Sequence, residues 1–133
     1  MPQFFFKKFD NMKDYKTENI VNCTLVGHAS SGKTTVAESL SFCAGALQKC
    51  GKVDNGTSIS DYRKQEINNK HSIGMSLLNF TYLDKKINLI DTPGYIDFIG
   101  EMKAGLSVSE VACIVINSSE GIEVGAELGW EYA

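Results

Sequence analysis

The chain has 133 residues, 43% of them apolar and 22% charged, with a formal net charge of −3. These are the proportions of an ordinary globular domain long enough to bury a core, and they leave no basic footprint for direct sequence-specific binding of nucleic acid. No run approaches the roughly 20 apolar residues of a membrane span, and Phe4, Phe5 and Phe6 beside Lys7 and Lys8 are too short a run for a secretory signal, so a cytoplasmic protein without a membrane partner is expected.

In chain order, Ile20, Val21, Cys23, Leu25 and Val26 make a short apolar run that ends in Gly27, the pattern of a buried strand. After Lys33 the apolar residues Val36, Leu40, Cys43 and Leu47 recur at helical spacing, with Gly45 and Gly51 bracketing the end of the helix. Residues 48–72 are rich in Gly, Asn, Ser, Asp and Lys without periodicity, and so read as one long loop of the kind that carries function or moves. Leu78, Phe80 and Tyr82 then alternate with Asn79 and Thr81, and a turn at Asp84 and Lys85 leads into Ile87, Leu89 and Ile90, which predicts a two-stranded hairpin. Phe98, Met102 and Leu106 mark a second helix, residues 111–116 a fourth strand, and residues 124–133 a third helix. The four cysteines, Cys23, Cys43, Cys50 and Cys113, form no C-x-x-C pair and read as reduced packing residues. The order β-α-β-β-α-β-α predicts an α/β fold, a mostly parallel doubly wound sheet.

Two motifs carry chemistry. Gly27, His28, Ala29, Ser30, Ser31, Gly32, Lys33 and Thr34 fit G-x-x-x-x-G-K-[ST] between a predicted strand and a predicted helix. Glycines let backbone N–H groups curl around phosphates, and the helix N-terminus adds partial positive charge. In that arrangement Lys33 reaches the β- and γ-phosphates, the Thr34 hydroxyl holds Mg²⁺, and Thr35 completes the nucleotide-binding stretch. The second motif is the strand from Ile87 to Ile90, which delivers Asp91 at its carboxyl end, where open α/β sheets bind ligands. Asp91 is expected to hold the metal through water, with Thr92, Pro93 and Gly94 following and the Gly94 amide facing the γ-phosphate.

Asp91-Thr92-Pro93-Gly94 resembles the D-x-x-G of GTPases in its translation-factor form, D-T-P-G, and residues 95–98 resemble the H-V-D-F that follows it in elongation factor G. Tyr15 to Ile20, the Gly27-His28 start of the loop, and Gly121 with Val124 extend the resemblance over residues 14–133. The spelling Gly27 to Thr34, G-H-A-x-S-G-K-T, and Gly56-Thr57 with Asp61-Tyr62 are most similar to the elongation factor G-like paralogue group. The resemblance implies a P-loop NTPase fold that binds GTP or GDP with Mg²⁺ and works with the ribosome. It also implies that residues 48–75 are a switch whose Ser72 joins Thr34 and Asp91 at the metal. Only the first four strands of such a sheet are recognised and the last two are missing. Residues 14–133 are accordingly expected to be the N-terminal part of the GTP-binding domain, truncated before the N-K-x-D that reads guanine, and residues 1–13 an N-terminal extension expected to be disordered.

Several residues depart from that pattern. Tyr95 stands where the elongation factors have a histidine that orients or activates the attacking water; it is a candidate catalytic position, but a neutral phenol does not match a tunable imidazole. Ser30 stands where many translation factors have Asp. These departures leave binding intact and put efficient hydrolysis in question, so a slowly hydrolysing or non-hydrolysing nucleotide-binding regulator is an alternative. A P-loop ATPase is another, because nothing in these residues selects guanine. His28 reads as a structural part of the loop with no pairing carboxylate nearby, and His71 as a solvated loop residue.

Overall fold

The computed structural model describes residues 14–133, so the segment expected to be an extension, residues 1–13, lies outside the described residues. Four strands form one mixed sheet in the order β2-β3-β1-β4, where β1 is Ile20–Val26, β2 Ser76–Tyr82, β3 Lys85–Asp91 and β4 Val111–Ile114. β1 lies parallel to both β3 and β4, and the β2–β3 hairpin supplies the antiparallel pair. The mostly parallel α/β sheet expected from the sequence is therefore present. Burial on both faces at the end of β1 suits its mainly apolar run, which only Asn22 and Thr24 interrupt: Thr24, Leu25 and Val26 are fully buried, and Leu25, Ala37, Leu78, Phe80 and Leu89 make the core.

Among the described residues four α-helices accompany the sheet rather than the three expected: α1 (Lys33–Cys43), α2 (Lys64–Asn69), α3 (Ile99–Ser107) and α4 (Val124–Tyr132). The additional helix, α2, falls inside the segment read as one long loop. Its six residues are too few for periodicity, and it is held at its ends instead. The Glu66 side chain accepts the Arg63 backbone N–H at 3.0 Å, closing the first turn, and Lys70 ends the helix at a φ of 57°.

The face that α1 buries also differs from the apolar spacing. Leu40 and Phe42 are exposed, whereas Ala37, Glu38 and Ser41 are buried. Glu38 faces inward because the chain from Gly51 to Ile59 folds over it and supplies hydrogen-bond donors. Two cysteines correct the packing assignment as well: Cys113 on the outer strand β4 and Cys43 at the end of α1 are exposed, while Cys23 and Cys50 are half-buried.

Register places the chemistry. Leu25 pairs with Asp91, and the Thr92 hydroxyl donates to the Leu25 carbonyl at 2.6 Å, so the carboxyl ends of the two inner strands β1 and β3 lie side by side and release their following loops at the same end of the sheet. Helix α3 packs on the sheet near that end through Gly105, where a Cβ would stand 3.2 Å from the methyl groups of Thr24, Ile90 and Thr92.

Candidate functional site

The loop from Gly27 to Gly32 leaves β1 and turns into α1. Gly32 caps the helix at a φ of 96°, a left-handed conformation that favours glycine, and Ser30 takes a φ of 62° within the loop. The Lys33 ammonium folds back into the curl, donating to the carbonyls of His28 at 2.6 Å and Gly27 at 3.0 Å. Burial lowers its pKa from 10.5 to about 8, against the opposing field of Asp91.

Gly94 closes on the same loop from the other side. A Cβ there would stand 2.5 Å from Lys33 Nζ and 2.6 Å from the Ala29 nitrogen, so the two loops meet backbone to backbone. Between them opens a cleft of about 470 Å³. Ala29, Ser30, Gly32, Lys33, Thr34 and Thr35 line it from the loop and α1; Thr92, Gly94 and Tyr95 line it from the end of β3. Gly27, His28 and Ser31 belong to the loop without lining the cleft, and Pro93 faces a small crevice shared with Gly27.

At the floor of the cleft the Thr34 hydroxyl donates to Asp91 Oδ2 at 2.7 Å and lies 3.3 Å from the Ser72 hydroxyl. The three residues expected at a metal are thus brought together from α1, the segment before β2, and the end of β3. Asp91 is fully buried, and burial pushes its carboxyl up to about 6, resisted by the Thr34 hydroxyl and the Lys33 ammonium. Its other oxygen, Oδ1, has no hydrogen-bond partner among the described residues; the Ser60 hydroxyl lies near enough to favour the ionised carboxyl without completing a bond.

Asp61 joins this group. It accepts from the Ser72 hydroxyl at 2.7 Å, its Oδ2 is likewise buried without a partner among the described residues, and burial raises its pKa. An all-oxygen set of two hydroxyls and two carboxylates, with two carboxylate oxygens unsatisfied, fits a hard divalent cation such as Mg²⁺, which keeps several of its waters and takes few protein ligands.

Two further carboxylates fasten the segment from Gly51 to Gly74 that carries Asp61 and Ser72, and neither is marked by any motif. Glu38 accepts the Gly51 amide at 3.0 Å, the Ser58 hydroxyl at 2.8 Å and the Ile59 amide, fastening that stretch to α1. Glu66 accepts the amides of Ile73 at 3.1 Å and Gly74 at 3.2 Å, fixing the chain just after Ser72. Both residues are 1% exposed. Their partners are mostly backbone groups, which leave no trace in residue identity.

Both histidine readings change. His28 braces the loop as expected, but it does have a carboxylate: Nε2 lies 3.4 Å from Glu123 Oε1, while Nδ1 accepts the Gly125 amide at 3.3 Å. His71 is half-buried rather than solvated, lines the cleft, and meets the Tyr95 ring edge to face with centroids 4.8 Å apart.

The profile of the elongation factor Tu GTP binding domain matches residues 18–133. The chain is 39% identical over 110 residues to an elongation factor G-like protein of Mycobacterium tuberculosis (strain ATCC 25618 / H37Rv), covering 83% of this chain and 15% of that protein. It is 36% identical over 119 residues to elongation factor G of Petrotoga mobilis (strain DSM 10674 / SJ95), covering 90% of this chain and 17% of that one. A crystal structure of a Thermus thermophilus protein superposes with a TM-score of 0.83 at 33% identity, over 86% of this chain and 17% of that chain. The chain thus spans less than a fifth of the length of these relatives, and within that span it belongs to the translation-factor GTPases, as a member of the elongation factor Tu GTP binding domain family.

Proposed function

We propose that residues 14–133 are the N-terminal part of a GTP-binding domain that works as a Mg²⁺-dependent switch in a ribosome-associated, cytoplasmic translation factor. The convergence of Thr34, Ser72 and Asp91 beside the Lys33 loop carries this reading. Ser72 belongs to a segment held by side-chain to backbone bonds, so its approach to Thr34 is a contact that a bound γ-phosphate and cation would favour and their loss would weaken.

In this reading the loop from Gly27 to Thr35 cradles the phosphates, and Lys33 exchanges the carbonyls of Gly27 and His28 for phosphate oxygens. Thr34, Ser72 and Asp91, with Asp61 beside them, would hold Mg²⁺, and Gly94 would present its amide to the γ-phosphate. When bound, the cation neutralises charge on the β- and γ-phosphates. Thr92 and Pro93 fix the turn that carries Gly94. Tyr95 borders the γ-phosphate end of the cleft, and as a phenol in that position it favours slow intrinsic hydrolysis, which keeps a sparingly hydrolysing regulator as the second reading.

GTP, GDP and ATP binding by the full-length protein, with and without Mg²⁺, tests the first step, and GTP turnover with and without ribosomes tests the second. Mg²⁺-dependent GTP binding with ribosome-stimulated turnover is expected. Intact binding without stimulation would favour the regulator, and a preference for ATP would end the GTPase assignment.

A further inference from the structure

Displacement at a γ-phosphate needs a group that accepts a hydrogen bond from the attacking water and turns its lone pair toward phosphorus. Besides the metal-holding oxygens, the cleft is lined by the Glu38 and Asp54 carboxylates, the Tyr95 phenol and the His71 imidazole; Glu38 is taken up by Gly51, Ser58 and Ile59, and His71 directly precedes the metal-holding Ser72. His71 Nδ1 lies 3.0 Å from the Asn69 carbonyl oxygen, and because a carbonyl only accepts, Nδ1 carries the proton and donates. In the neutral ring Nε2 is therefore the bare acceptor nitrogen.

Two neighbours hold the ring and a third fixes the chain beside it. Asn69 fixes its edge. Tyr95 packs against it edge to face at 4.8 Å with the rings inclined at 61°. Glu66, by taking the amides of Ile73 and Gly74, fixes the backbone that follows. His71 also precedes Ser72, which lies 3.3 Å from Thr34, so the same short stretch brings both a metal-holding hydroxyl and an imidazole to the cleft.

Resting on the GTPase reading above, we propose that His71 is a catalytic residue that orients the attacking water through Nε2, and that Tyr95 is a positioning residue that holds the His71 ring. The water oxygen bonds to the γ-phosphorus as the bond from phosphorus to the β–γ bridging oxygen breaks, and that bond's electron pair leaves with GDP. The water proton passes to a γ-phosphate oxygen, yielding dihydrogen phosphate; His71 accepts a hydrogen bond throughout and keeps its own proton. Tyr95 then contributes its ring rather than its hydroxyl.

Single-turnover GTP hydrolysis by the full-length protein, with and without ribosomes, tests this when GTP affinity is measured in parallel on each variant. His71→Ala is expected to slow hydrolysis roughly 100-fold while GTP affinity changes by less than about threefold. His71→Gln places a carbonyl oxygen near the position of Nε2 and is expected to retain more of the rate than His71→Asn, which does not reach. Tyr95→Phe is expected to retain more of the rate than Tyr95→Ala. Wild-type hydrolysis with His71→Ala equally fast would overturn the His71 assignment and leave the GTPase reading standing. Loss of GTP binding in His71→Ala and His71→Gln together would overturn it too, since the ring would then be holding the site rather than a water. A wild-type protein that binds GTP and never cleaves it would overturn both readings.

Discussion

The hydroxyl of Thr34 donates a 2.7 Å hydrogen bond to a carboxyl oxygen of Asp91, joining the first turn of α1 to the last residue of β3 across 57 positions of sequence. Replacing this hydroxyl tests the proposed cation site directly. Thr34→Val removes donor and ligand at nearly constant volume and is expected to abolish the Mg²⁺ dependence of GTP binding and to weaken affinity at least about tenfold in excess Mg²⁺. Thr34→Ser is expected to retain most of it. Fluorescent-GTP titration across Mg²⁺ concentrations is the measurement, and an unchanged Mg²⁺ response in Thr34→Val would remove Thr34 from the site.

The buried Asp91 carboxyl makes stability depend on pH. Its folded pKa of about 6 lies above the ordinary 3.8, so between these values the folded state holds a proton that the unfolded state has released. Stability attributable to this group is therefore greatest below pH 3.8 and is lost as pH rises through about 6. The full swing is about 3 kcal/mol. Asp91→Asn carries no titrating proton, so the stability difference between wild type and Asp91→Asn should move by that amount between about pH 4 and pH 7. Parallel denaturant melts that keep a constant difference would refute it.

Lys33 works in the opposite sense over a different window. Its pKa is lowered from 10.5 to about 8, so its contribution to stability is present above pH 10.5 and is lost as pH falls through about 8. At neutral pH both buried charges therefore oppose folding, and a phosphate with its cation relieves both. Added Mg²⁺ and GTP should accordingly raise the melting temperature of the wild type more than that of Lys33→Met, which has no ammonium to satisfy. Equal shifts would exclude this coupling.

Glu66 is expected to govern the order of the segment that carries Ser72. In Glu66→Ala the amides of Ile73 and Gly74 lose their acceptor, and their hydrogen exchange should rise at least about tenfold. The preference for GTP over GDP should shrink in the same variant. Glu66→Gln keeps one accepting oxygen and is expected to fall between. Unchanged protection in Glu66→Ala would show that the segment is held elsewhere.

Glycine at position 125 is required by space alone. A Cβ there would stand 2.5 Å from the His28 Cα, so Gly125→Ala must displace α4 or the loop, at a cost of roughly 1–3 kcal/mol and with weaker nucleotide binding. Gly100 in α3 has nothing within 4 Å of the same added atom, and Gly100→Ala should stabilise by about 0.5–1 kcal/mol. Thermal melts of the pair check both signs.

The parts of the site legible in the sequence are those in which neighbouring residues share one task. Gly27 to Thr34 and Asp91 to Gly94 each sit on a single turn, so their spacing is their function. Ser72 could be placed only through a resemblance, because its neighbours are those of an ordinary polar loop. Asp61, Glu38 and Glu66 escaped because their roles depend on where a distant backbone folds: Glu38 meets amides 13 and 21 positions away. The pairing of His28 with Glu123 and the edge-to-face packing of His71 on Tyr95 likewise emerge only once β4 leads α4 back to the loop and the segment before β2 closes over the cleft. Helix α2 was missed because it is maintained by one buried carboxylate and has no apolar stripe.

The phosphate loop lies between two glycines, Gly94 pressing on Ala29 from one side and Gly125 on His28 from the other. Three stretches of main chain pack closely there, with the Lys33 ammonium beside the Gly94 contact. The start of α4 and the turn after β3 therefore both rest on the backbone of the same short loop, and a side chain at either glycine would push that loop away from its neighbour. In mechanical terms the loop sits in a clamp, which closes only because of the atoms these two glycines lack.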